Sequence, residues 1–179
     1  MKLMLTIKIK QMTKFIIRKC NTAGIDLIKF YESCRLKAYQ DTKGIWTIGW
    51  GATYYHNGKK VKFGDIITQA IADDLFLFHL GVFEREVNSL IKNDKINENQ
   101  FSALVSFAFN CGSDIDEDTK AEGLGDSTLL KLVNINPNNT LIKAEFLKWI
   151  SKGSKSERGL RNRRTKEAAL YFSPVSLLA

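Results

Sequence analysis

The chain has 179 residues, of which 44% are hydrophobic and 26% are charged. This length suits one domain, or two lobes that share a core, and the composition excludes a disordered chain and a membrane-embedded body. The net charge of +8 favours polyanionic partners, such as nucleic acid, an anionic lipid surface or an acidic polymer of the cell envelope.

The positive charge is concentrated in two segments of the chain. Six basic residues precede the first acid, Asp26, and a second basic cluster lies within residues 152–166. Neither cluster is interleaved with the aromatic side chains on which single-stranded nucleic acid stacks, so we expect no nucleic acid as a partner. Both clusters could also be ordinary solvated surfaces.

The cysteines and histidines give no sign of a metal or another cofactor. Cys20, Cys34 and Cys111 show no C-x-x-C spacing, and His56 and His79 are isolated in the sequence. We therefore expect buried thiols and no metal site, while a Cys34 to Cys111 disulfide stays open as an alternative.

Residues 1–20 predict a basic N-terminal extension, followed by one folded domain over residues 21–175. Apolar residues in the extension are interrupted by Lys8, Lys10 and Lys14. The segment therefore has neither the apolar core of a signal peptide nor the run of about 18 apolar residues that a membrane helix needs. A weak interfacial anchor remains an alternative interpretation.

A helix and a β-hairpin are the first elements predicted along the chain. Asn21 or Thr22 is suited to cap a helix that ends near Glu32. The segment LKAYQDTKGIWTIGWG is rich in β-type residues around the turn signal DTKG. The NG pair of YYHNGKK indicates a second turn, which predicts a third strand near residues 60–63.

The rest of the chain predicts helices. One begins after Thr68, and NENQFSALVSFAFNCG predicts another that runs through the core and stops at its Cys-Gly pair. Residues 113–126 are acidic and glycine-rich, which predicts a loop. The segments STLLKLVN, NTLIKAEFLKWISKG and LRNRRTKEAALYFS predict helices before Pro174. This order of elements indicates an α+β fold.

Two carboxyl groups in residues 31–51 suggest acid and base chemistry. Glu32 ends a helix, where the negative end of the backbone dipole and apolar neighbours favour a protonated carboxyl group. Asp41 opens a turn, where backbone N–H groups favour a charged one. Two carboxyl groups biased in opposite directions are the arrangement that glycosidic hydrolysis uses.

Alternation along the strand after this turn predicts two different faces. One face carries Thr47, Gly49 and Gly51, and the tryptophans on the other face pack on the core. Glycines would let a bulky ligand approach the backbone, and the Thr47 hydroxyl could orient a water molecule beside Asp41. Each residue alone also has an ordinary explanation as a surface, turn or strand residue.

The same stretch resembles the phage-type lysozymes, or endolysins, of glycoside hydrolase family 24. Their signature is Glu, eight residues, Asp, five residues and Thr, in the frame R-L-x-x-Y-x-D-x-x-G-x-x-T-I-G-x-G. The segment RLKAYQDTKGIWTIGWG matches every position of this frame. Further matching segments extend the resemblance over about residues 22–172: GDIIT, QFSALVSFAFNCG, STLLKLVN and GLRNRRTKEAALY.

The resemblance implies a lysozyme-like catalytic domain, with a small antiparallel β lobe, a larger helical lobe and the active-site cleft between them. It implies hydrolysis of the β-1,4 bond between N-acetylmuramic acid and N-acetylglucosamine in peptidoglycan. Glu32 would protonate the leaving oxygen, while Asp41 and Thr47 would hold the water that attacks the sugar from the opposite face and inverts it.

The family pattern also implies residues that bind the substrate. Phe109 and Asn110 would border the cleft, in addition to the two glycines of the strand. Arg163 and Arg164 would lie near the catalytic acid, and one of them would pair with Glu32. The register between the two arginines is left open by the sequence.

We expect a monomer that needs no cofactor and whose partner is peptidoglycan. Because its start resembles no signal-anchor, the enzyme would wait in the host cytoplasm until a holin opens the membrane. The loop over residues 113–126 is longer than is usual for the family and could rim the cleft. A lytic transglycosylase, which closes a 1,6-anhydro ring, and a non-catalytic cationic wall-binding protein are the alternatives.

Overall fold

The computed structural model describes residues 17–41, 43–116 and 118–175. None of the helices in these ranges is long and apolar enough to cross a membrane. In chain order, the elements are α1 (Thr22–Glu32), β1 (Arg35–Gln40), β2 (Trp46–Gly49), α2 (Gln69–Leu90), α3 (Glu98–Cys111), α4 (Thr128–Ile135), α5 (Ile142–Phe146) and α6 (Glu157–Tyr171).

Most of the predicted N-terminal extension lies outside the described residues. Of its last residues, Arg18 donates a backbone hydrogen bond to Asn88 at 3.0 Å, and Cys20 donates one to Glu84 at 2.8 Å. Both acceptors are on α2. The start of the described chain is therefore bound to the second helix.

The first helix begins and ends as predicted. The Asn21 side chain caps α1 by accepting a hydrogen bond from the backbone N–H of Gly24. Ser33 follows with a φ of 54°, which ends the helix directly after Glu32. The chain reverses there, so the Glu32 side chain lies at the junction between the helix and the hairpin.

The β-hairpin is also confirmed. β1 and β2 are antiparallel, with Tyr39 opposite Thr47. The connecting turn contains Gly44 at a φ of 78°, a left-handed conformation that glycine adopts without Cβ strain. The chain therefore reverses between Asp41 and the start of β2.

The third strand predicted near residues 60–63 is wrong, because the described sheet has two strands. The chain forms only isolated bridges in this region. The Asp65 carboxylate accepts hydrogen bonds from the Lys62 N–H and the Tyr55 hydroxyl, and Gly64 has a φ of 85°. This turn bends the chain away before a third strand can pair over several residues.

The alternation predicted through Gly51 is also wrong, because β2 ends at Gly49. Ile48 and Ala52 exchange two backbone hydrogen bonds of 2.9 Å across a tight turn. Both glycines inside this turn have positive φ angles, 61° at Gly49 and 94° at Gly51. The turn directs these two positions toward different neighbours.

The two central helices agree with their sequence signals. The Thr68 hydroxyl caps α2, and Asn97 and Gln100 form a reciprocal capping box at the start of α3. All residues of α3 from 99 to 108 are buried. Gly112, at a φ of 96°, follows the end of α3. The helix thus runs through the core and delivers its C-terminal end to the surface.

The C-terminal helices are confirmed except for the length of α5. The described part of residues 113–126 contains no helix or strand, as predicted. α5 spans only Ile142–Phe146, whereas the sequence predicts a helix across NTLIKAEFLKWISKG. After α5, the backbone forms separate turns, and Gly153 has a φ of 76°, which interrupts helical geometry.

Two hydrophobic clusters define two lobes. The larger cluster surrounds α3, and the smaller one contains Ile48, Val61, Ile67 and Leu75. Trp50 packs against both clusters, so it joins the lobes. The tryptophans of the β lobe therefore pack on the core, as the strand pattern predicts.

Candidate active site

Glu32 forms an ion pair with Arg163 where the two lobes meet. The Arg163 Nη1 donates to Glu32 Oε1 at 2.6 Å. The Glu32 side chain is 19% exposed and that of Arg163 is 4% exposed. Glu32 is thus the member of the pair that a ligand can reach, and its arginine partner is Arg163.

Gly51 lies beside the second oxygen of Glu32. A Cβ atom at this position would be 3.2 Å from Glu32 Oε2, and the φ of 94° also disfavours any side chain. None of the described residues donates a hydrogen bond to this oxygen. Among the described residues, Oε2 therefore has no hydrogen-bond donor, and the backbone of Gly51 lies beside it.

Gly49 occupies a different environment from the other glycine of the turn. A Cβ atom on Gly49 would lie 3.4 Å from the Cβ of Ala72 on α2. The residue is buried, and because such a contact is of ordinary van der Waals length, the positive φ of 61° explains the glycine better than lack of space does. The substrate contact expected for Gly49 stays a prediction.

The Asp41 carboxylate is held by its own turn. Its Oδ1 accepts hydrogen bonds of 2.8 Å from the backbone N–H groups of Lys43 and Ile45. No described residue donates a hydrogen bond to Oδ2. One carboxylate oxygen is therefore fixed by the backbone, and the other is available to a ligand or a water molecule.

Tyr39 lies within electrostatic range of both candidate catalytic carboxylates. Burial raises the pKa of its hydroxyl, the Arg35 guanidinium lowers it, and Glu32 and Asp41 both raise it. The guanidinium carbon of Arg35 is 4.3 Å from the centre of the Tyr39 ring. Glu32 and Asp41 thus both act electrostatically on the same phenol.

Thr47 is the third predicted catalytic residue, and it lies opposite Tyr39 in the hairpin. Its side chain is buried, and its hydroxyl donates to the carbonyl oxygen of Ile45 at 3.0 Å. Because a hydroxyl has only one hydrogen, this group can offer only acceptor lone pairs to a water molecule.

Two separate hollows are each lined in part by the C-terminal end of α3. The larger has a volume of about 580 Å³ and is lined by Lys43, Asn110, Cys111, Lys148, Trp149, Ile150, Ser151, Ser156 and Leu160. The smaller has a volume of about 270 Å³ and is lined by Gly51, Thr53, Tyr54, His79, Val82, Phe83, Glu86 and Phe109. The adjacent residues Phe109 and Asn110 thus line different hollows.

Arg164 does not contact Glu32 in this arrangement. It donates to Asn110 Oδ1 at 2.8 Å and to Cys111 Sγ at 3.1 Å, and its side chain is fully buried. Arg164 therefore orients a residue of the larger hollow. Because both arginine side chains are buried, the direct substrate contact expected for Arg163 and Arg164 stays a prediction.

Residues 113–126 begin next to the smaller hollow. The Ser113 hydroxyl donates to the Glu86 carboxylate at 2.6 Å, and Glu86 lines that hollow. The Asp114 carboxylate accepts backbone hydrogen bonds from Glu122 and Asp126, which fold the described part of the loop back on itself. The role of the loop as a rim of the cleft stays a prediction.

The cysteines are free thiols, so the alternative of a Cys34 to Cys111 disulfide is not realised. Burial raises the pKa of Cys20 to about 12, and it also raises the pKa values of Cys34 and Cys111. Within residues 17–41, 43–116 and 118–175, no group of three or more His, Cys, Asp or Glu side chains could hold a metal ion.

Glu167 is a residue of the site that the sequence patterns did not single out. Its fully buried carboxylate contacts Arg163 at 3.1 Å, Arg164 at 3.0 Å and the Ser106 hydroxyl at 2.9 Å. The segment RRTKE contains the signal that could have identified it, because residues three and four apart face each other on a helix.

A small β ribbon packed against a helical lobe, with a partly buried Glu–Arg pair where they meet, defines the lysozyme-like fold class. The chain belongs to the Phage lysozyme family, which its sequence matches over residues 29–167. The α+β, lysozyme-like fold expected from the sequence is therefore confirmed.

Two relatives and one solved structure illustrate this membership. The endolysin of Bacillus phage PZA is 38% identical over 153 residues, which cover 84% of this chain and 54% of that protein. The endolysin of Salmonella phage P22 is 35% identical over 150 residues, which cover 84% and 95%. The solved endolysin from Escherichia coli O157:H7 phage FAHEc1 is 35% identical, with a TM-score of 0.73 and coverage of 88% and 95%. The chain thus spans about half the length of its Bacillus phage relative.

Proposed function

We propose that the chain is an endolysin that hydrolyses the β-1,4 bond between N-acetylmuramic acid and N-acetylglucosamine in bacterial peptidoglycan. Membership of the Phage lysozyme family and similarity to phage endolysins support this class of activity. The observation that carries the proposal is the ion pair of Glu32 and Arg163 at the junction of the lobes, with the second oxygen of Glu32 beside Gly51.

Glu32 is the general acid of the proposed reaction. Arg163 holds Oε1 at 2.6 Å, which leaves Oε2 to carry the proton beside Gly51. The missing side chain at position 51 leaves space there for a glycosidic oxygen. Donation of the proton from Oε2 neutralises the charge that develops on the leaving oxygen as the bond breaks.

Asp41 and Thr47 hold the attacking water in the proposed mechanism. Asp41 Oδ2 accepts a hydrogen bond from the water and takes that proton as the water oxygen attacks, while the two turn hydrogen bonds keep the carboxylate in place. The Thr47 hydroxyl accepts a hydrogen bond from the other hydrogen, which stays on the new hydroxyl group of the sugar. Attack from the face opposite Glu32 inverts the anomeric carbon, which requires carboxyl groups about 6.5 to 9.5 Å apart.

The glycan binds across the end of α3 in this proposal. Phe109 lines the smaller hollow and Asn110 the larger one, and Arg164 fixes the Asn110 side chain by the 2.8 Å hydrogen bond. Gly51 lets a sugar ring approach the backbone. Gly49 serves the substrate indirectly, because its positive φ of 61° forms the turn that brings Gly51 next to Glu32.

The partner of the enzyme is bacterial peptidoglycan. The net charge of the enzyme, +8, favours its binding to the anionic cell wall. We propose that it acts as a monomer without a cofactor and reaches the wall from the host cytoplasm after a holin opens the membrane. Arrest of lysis in a host that lacks the holin, with active enzyme in the cell extract, would support this route.

The test of the activity is clearance of isolated peptidoglycan by the wild type and by Glu32→Gln. Loss of a general acid lowers the rate by about 100-fold to 10,000-fold. Glu84→Gln is the matched control, because Glu84 also pairs with a cation, Lys19 at 2.6 Å, but lines neither of the two hollows. Equal clearance by the wild type and Glu32→Gln would contradict the assignment.

Mass spectrometry of the products separates the alternatives. Reducing N-acetylmuramic acid ends identify hydrolysis, whereas 1,6-anhydro ends identify a lytic transglycosylase. Binding to the wall without release of fragments identifies a non-catalytic wall-binding protein.

A further inference from the structure

We propose that Glu167 is a positioning residue that balances the charge of Arg163 and Arg164 and thereby lets Glu32 take up a proton. The inference rests on the proposed role of Glu32 as the general acid. Glu167 touches neither Glu32 nor the hollows, so its effect passes through the two arginines.

The contacts of Glu167 form one buried network with the arginines. Its Oε1 accepts hydrogen bonds from Arg163 Nε at 3.1 Å, Arg164 Nη2 at 3.2 Å and Ser106 Oγ at 2.9 Å. Its Oε2 lies 3.0 Å from Arg164 Nε. The carboxylate has no exposed surface, so no solvent ion can take its place.

The Arg163 guanidinium bridges the two glutamates. Its Nε contacts Glu167, its Nη1 contacts Glu32, and its Nη2 donates to the carbonyl oxygen of Ser106 at 3.1 Å. These three bonds use three different nitrogens and fix the plane of the group. A change at Glu167 therefore acts directly on the charge and orientation of the group that holds Glu32.

The count of charges explains why Glu167 matters for an acid catalyst. Two guanidinium groups and two carboxylates sum to zero when Glu32 is ionised, and to one positive charge when Glu32 is protonated. Without the charge of Glu167, protonation of Glu32 would leave two positive charges in a buried site. Unpaired buried charge is strongly unfavourable, so protonation of Glu32 would become less favourable.

The surroundings of Glu167 and Arg163 are consistent with a negative carboxylate between two positive guanidinium groups. Burial raises the pKa of Glu167 above its ordinary value, and the two guanidinium groups and the Ser106 hydroxyl oppose this shift. We take the carboxylate as ionised because Arg163 and Arg164 contact it at 3.1 and 3.0 Å. Burial lowers the pKa of Arg163, but Glu32 and Glu167 outweigh it and hold the pKa above the ordinary arginine value.

Three other titratable groups around the network are held in the neutral form by burial, and the Arg35 guanidinium on the hairpin is a charged neighbour of Tyr39. Burial raises the pKa values of Tyr31 on α1, Tyr39 on the hairpin and Cys111 on α3. The Arg163 guanidinium carbon lies 5.5 Å from the centre of the Tyr31 ring. The charge that Glu32 experiences from α6 is therefore set by Arg163, Arg164 and Glu167.

The test is the pH profile of peptidoglycan hydrolysis by Glu167→Gln. Activity falls as Glu32 loses its proton, so removing a nearby negative charge should move the basic limb of the kcat profile to lower pH. We expect a shift of about one pH unit or more, with KM within twofold. Glu84→Gln, which also removes a buried carboxylate, should leave the profile unchanged.

A second set of variants keeps the test decisive if Glu167→Gln folds poorly. Arg164→Gln removes a positive charge and should move the basic limb to higher pH. Arg164→Gln combined with Glu167→Gln restores the balance, so the limb should return to the wild-type position. Removal of both members of a buried pair is also tolerated better than removal of one.

The outcomes separate this inference from the proposed function. An active Glu32→Gln variant overturns both. Two results overturn only the role of Glu167, provided that Glu32→Gln is inactive. The first is a basic limb of Glu167→Gln that stays at the wild-type pH. The second is a basic limb at the same pH in Arg164→Gln and in the double variant. Such a result would mean that Glu167 is protonated in the wild type or acts only on folding.

Discussion

The two candidate catalytic carboxylates are held in opposite ways. Asp41 is fixed by backbone N–H groups of its own turn, two and four residues along the chain. Glu32 is held by Arg163, which is 131 residues away and is itself held by Glu167. The β lobe thus presents its carboxylate through local structure, whereas the helical lobe uses a long-range network. Changes in the first should affect chemistry alone, and changes in the second should affect chemistry and folding together.

The largest combined effect should come from Arg163→Met. The change leaves Glu32 and the buried Glu167 without a shared cation, and breaking a buried pair costs about 3 to 5 kcal/mol of unfolding free energy. Hydrolysis should fall at least about 100-fold, because the catalytic acid loses its orienting bond. Denaturant unfolding and wall clearance measure the two effects.

The control for this variant is Arg161→Met on the same helix. Arg161 also pairs with a glutamate, Glu157 at 2.8 Å, but at the surface. Surface ion pairs contribute little, so the unfolding free energy should stay close to that of the wild type. Equal destabilisation by the two substitutions would mean that the buried pairs of Arg163 contribute no more to stability than the surface pair of Arg161.

Asp41→Asn should reduce hydrolysis about as strongly but leave stability nearly unchanged. Asparagine keeps an oxygen that can accept the two turn hydrogen bonds, while the negative charge that polarises the water is lost. We expect a rate loss of about 100-fold or more and a change in unfolding free energy below about 0.5 kcal/mol. A marked loss of stability would show that the turn depends on the charge, and would weaken the contrast with Glu32.

The contrast between local and long-range contacts also explains what the sequence predicted. Asn21, Thr68 and the DTKG turn act within four residues, so the starts of two helices and the hairpin followed from the sequence alone. The third strand was wrong because the Asp65 carboxylate binds the Tyr55 hydroxyl and bends the chain, a contact across ten residues that no strand pattern contains.

The candidate site divides in the same way. The spacing of Glu32, Asp41 and Thr47 could be recognised in one short segment, although their catalytic roles stay predictions. The sequence could not decide which of two adjacent arginines pairs with Glu32. Adjacent side chains on a helix point in different directions, so the choice depends on the exact rotation of the helix. Glu167 was overlooked since its importance arises only when α3 and α6 enclose it.

Gly51→Ala should have an intermediate effect at the point where the two lobes meet. The new Cβ would lie 3.2 Å from Glu32 Oε2, and the φ of 94° would be strained. We expect a loss of about 1 to 2 kcal/mol of unfolding free energy from the backbone and about a tenfold lower rate from crowding of the acid.

Gly58→Ala is the matched control, because Gly58 has a similar φ of 77° but no atom within 4 Å of a new Cβ. It should show the backbone cost with normal hydrolysis. A rate loss as large as that of Gly51→Ala would mean that strain in the β lobe, and not contact with Glu32, slows the reaction.

The smallest effect should appear in thiol labelling, which compares the lobes without any substitution. Cys34 lies between α1 and β1 in the smaller lobe, and Cys20 is buried against Glu84 in the larger one. Thiolates are the reactive species, and burial raises the pKa of Cys20 to about 12, whereas Cys34 is only partly buried. At pH 8, a maleimide should therefore modify Cys34 in the folded protein and Cys20 only in denaturant, as peptide mass spectrometry would reveal. Equal labelling of both thiols without denaturant would indicate that the contact of the N-terminal segment with α2 opens readily. Long-range contacts in the helical lobe would then be weaker than the hydrogen bond from Cys20 to Glu84 suggests.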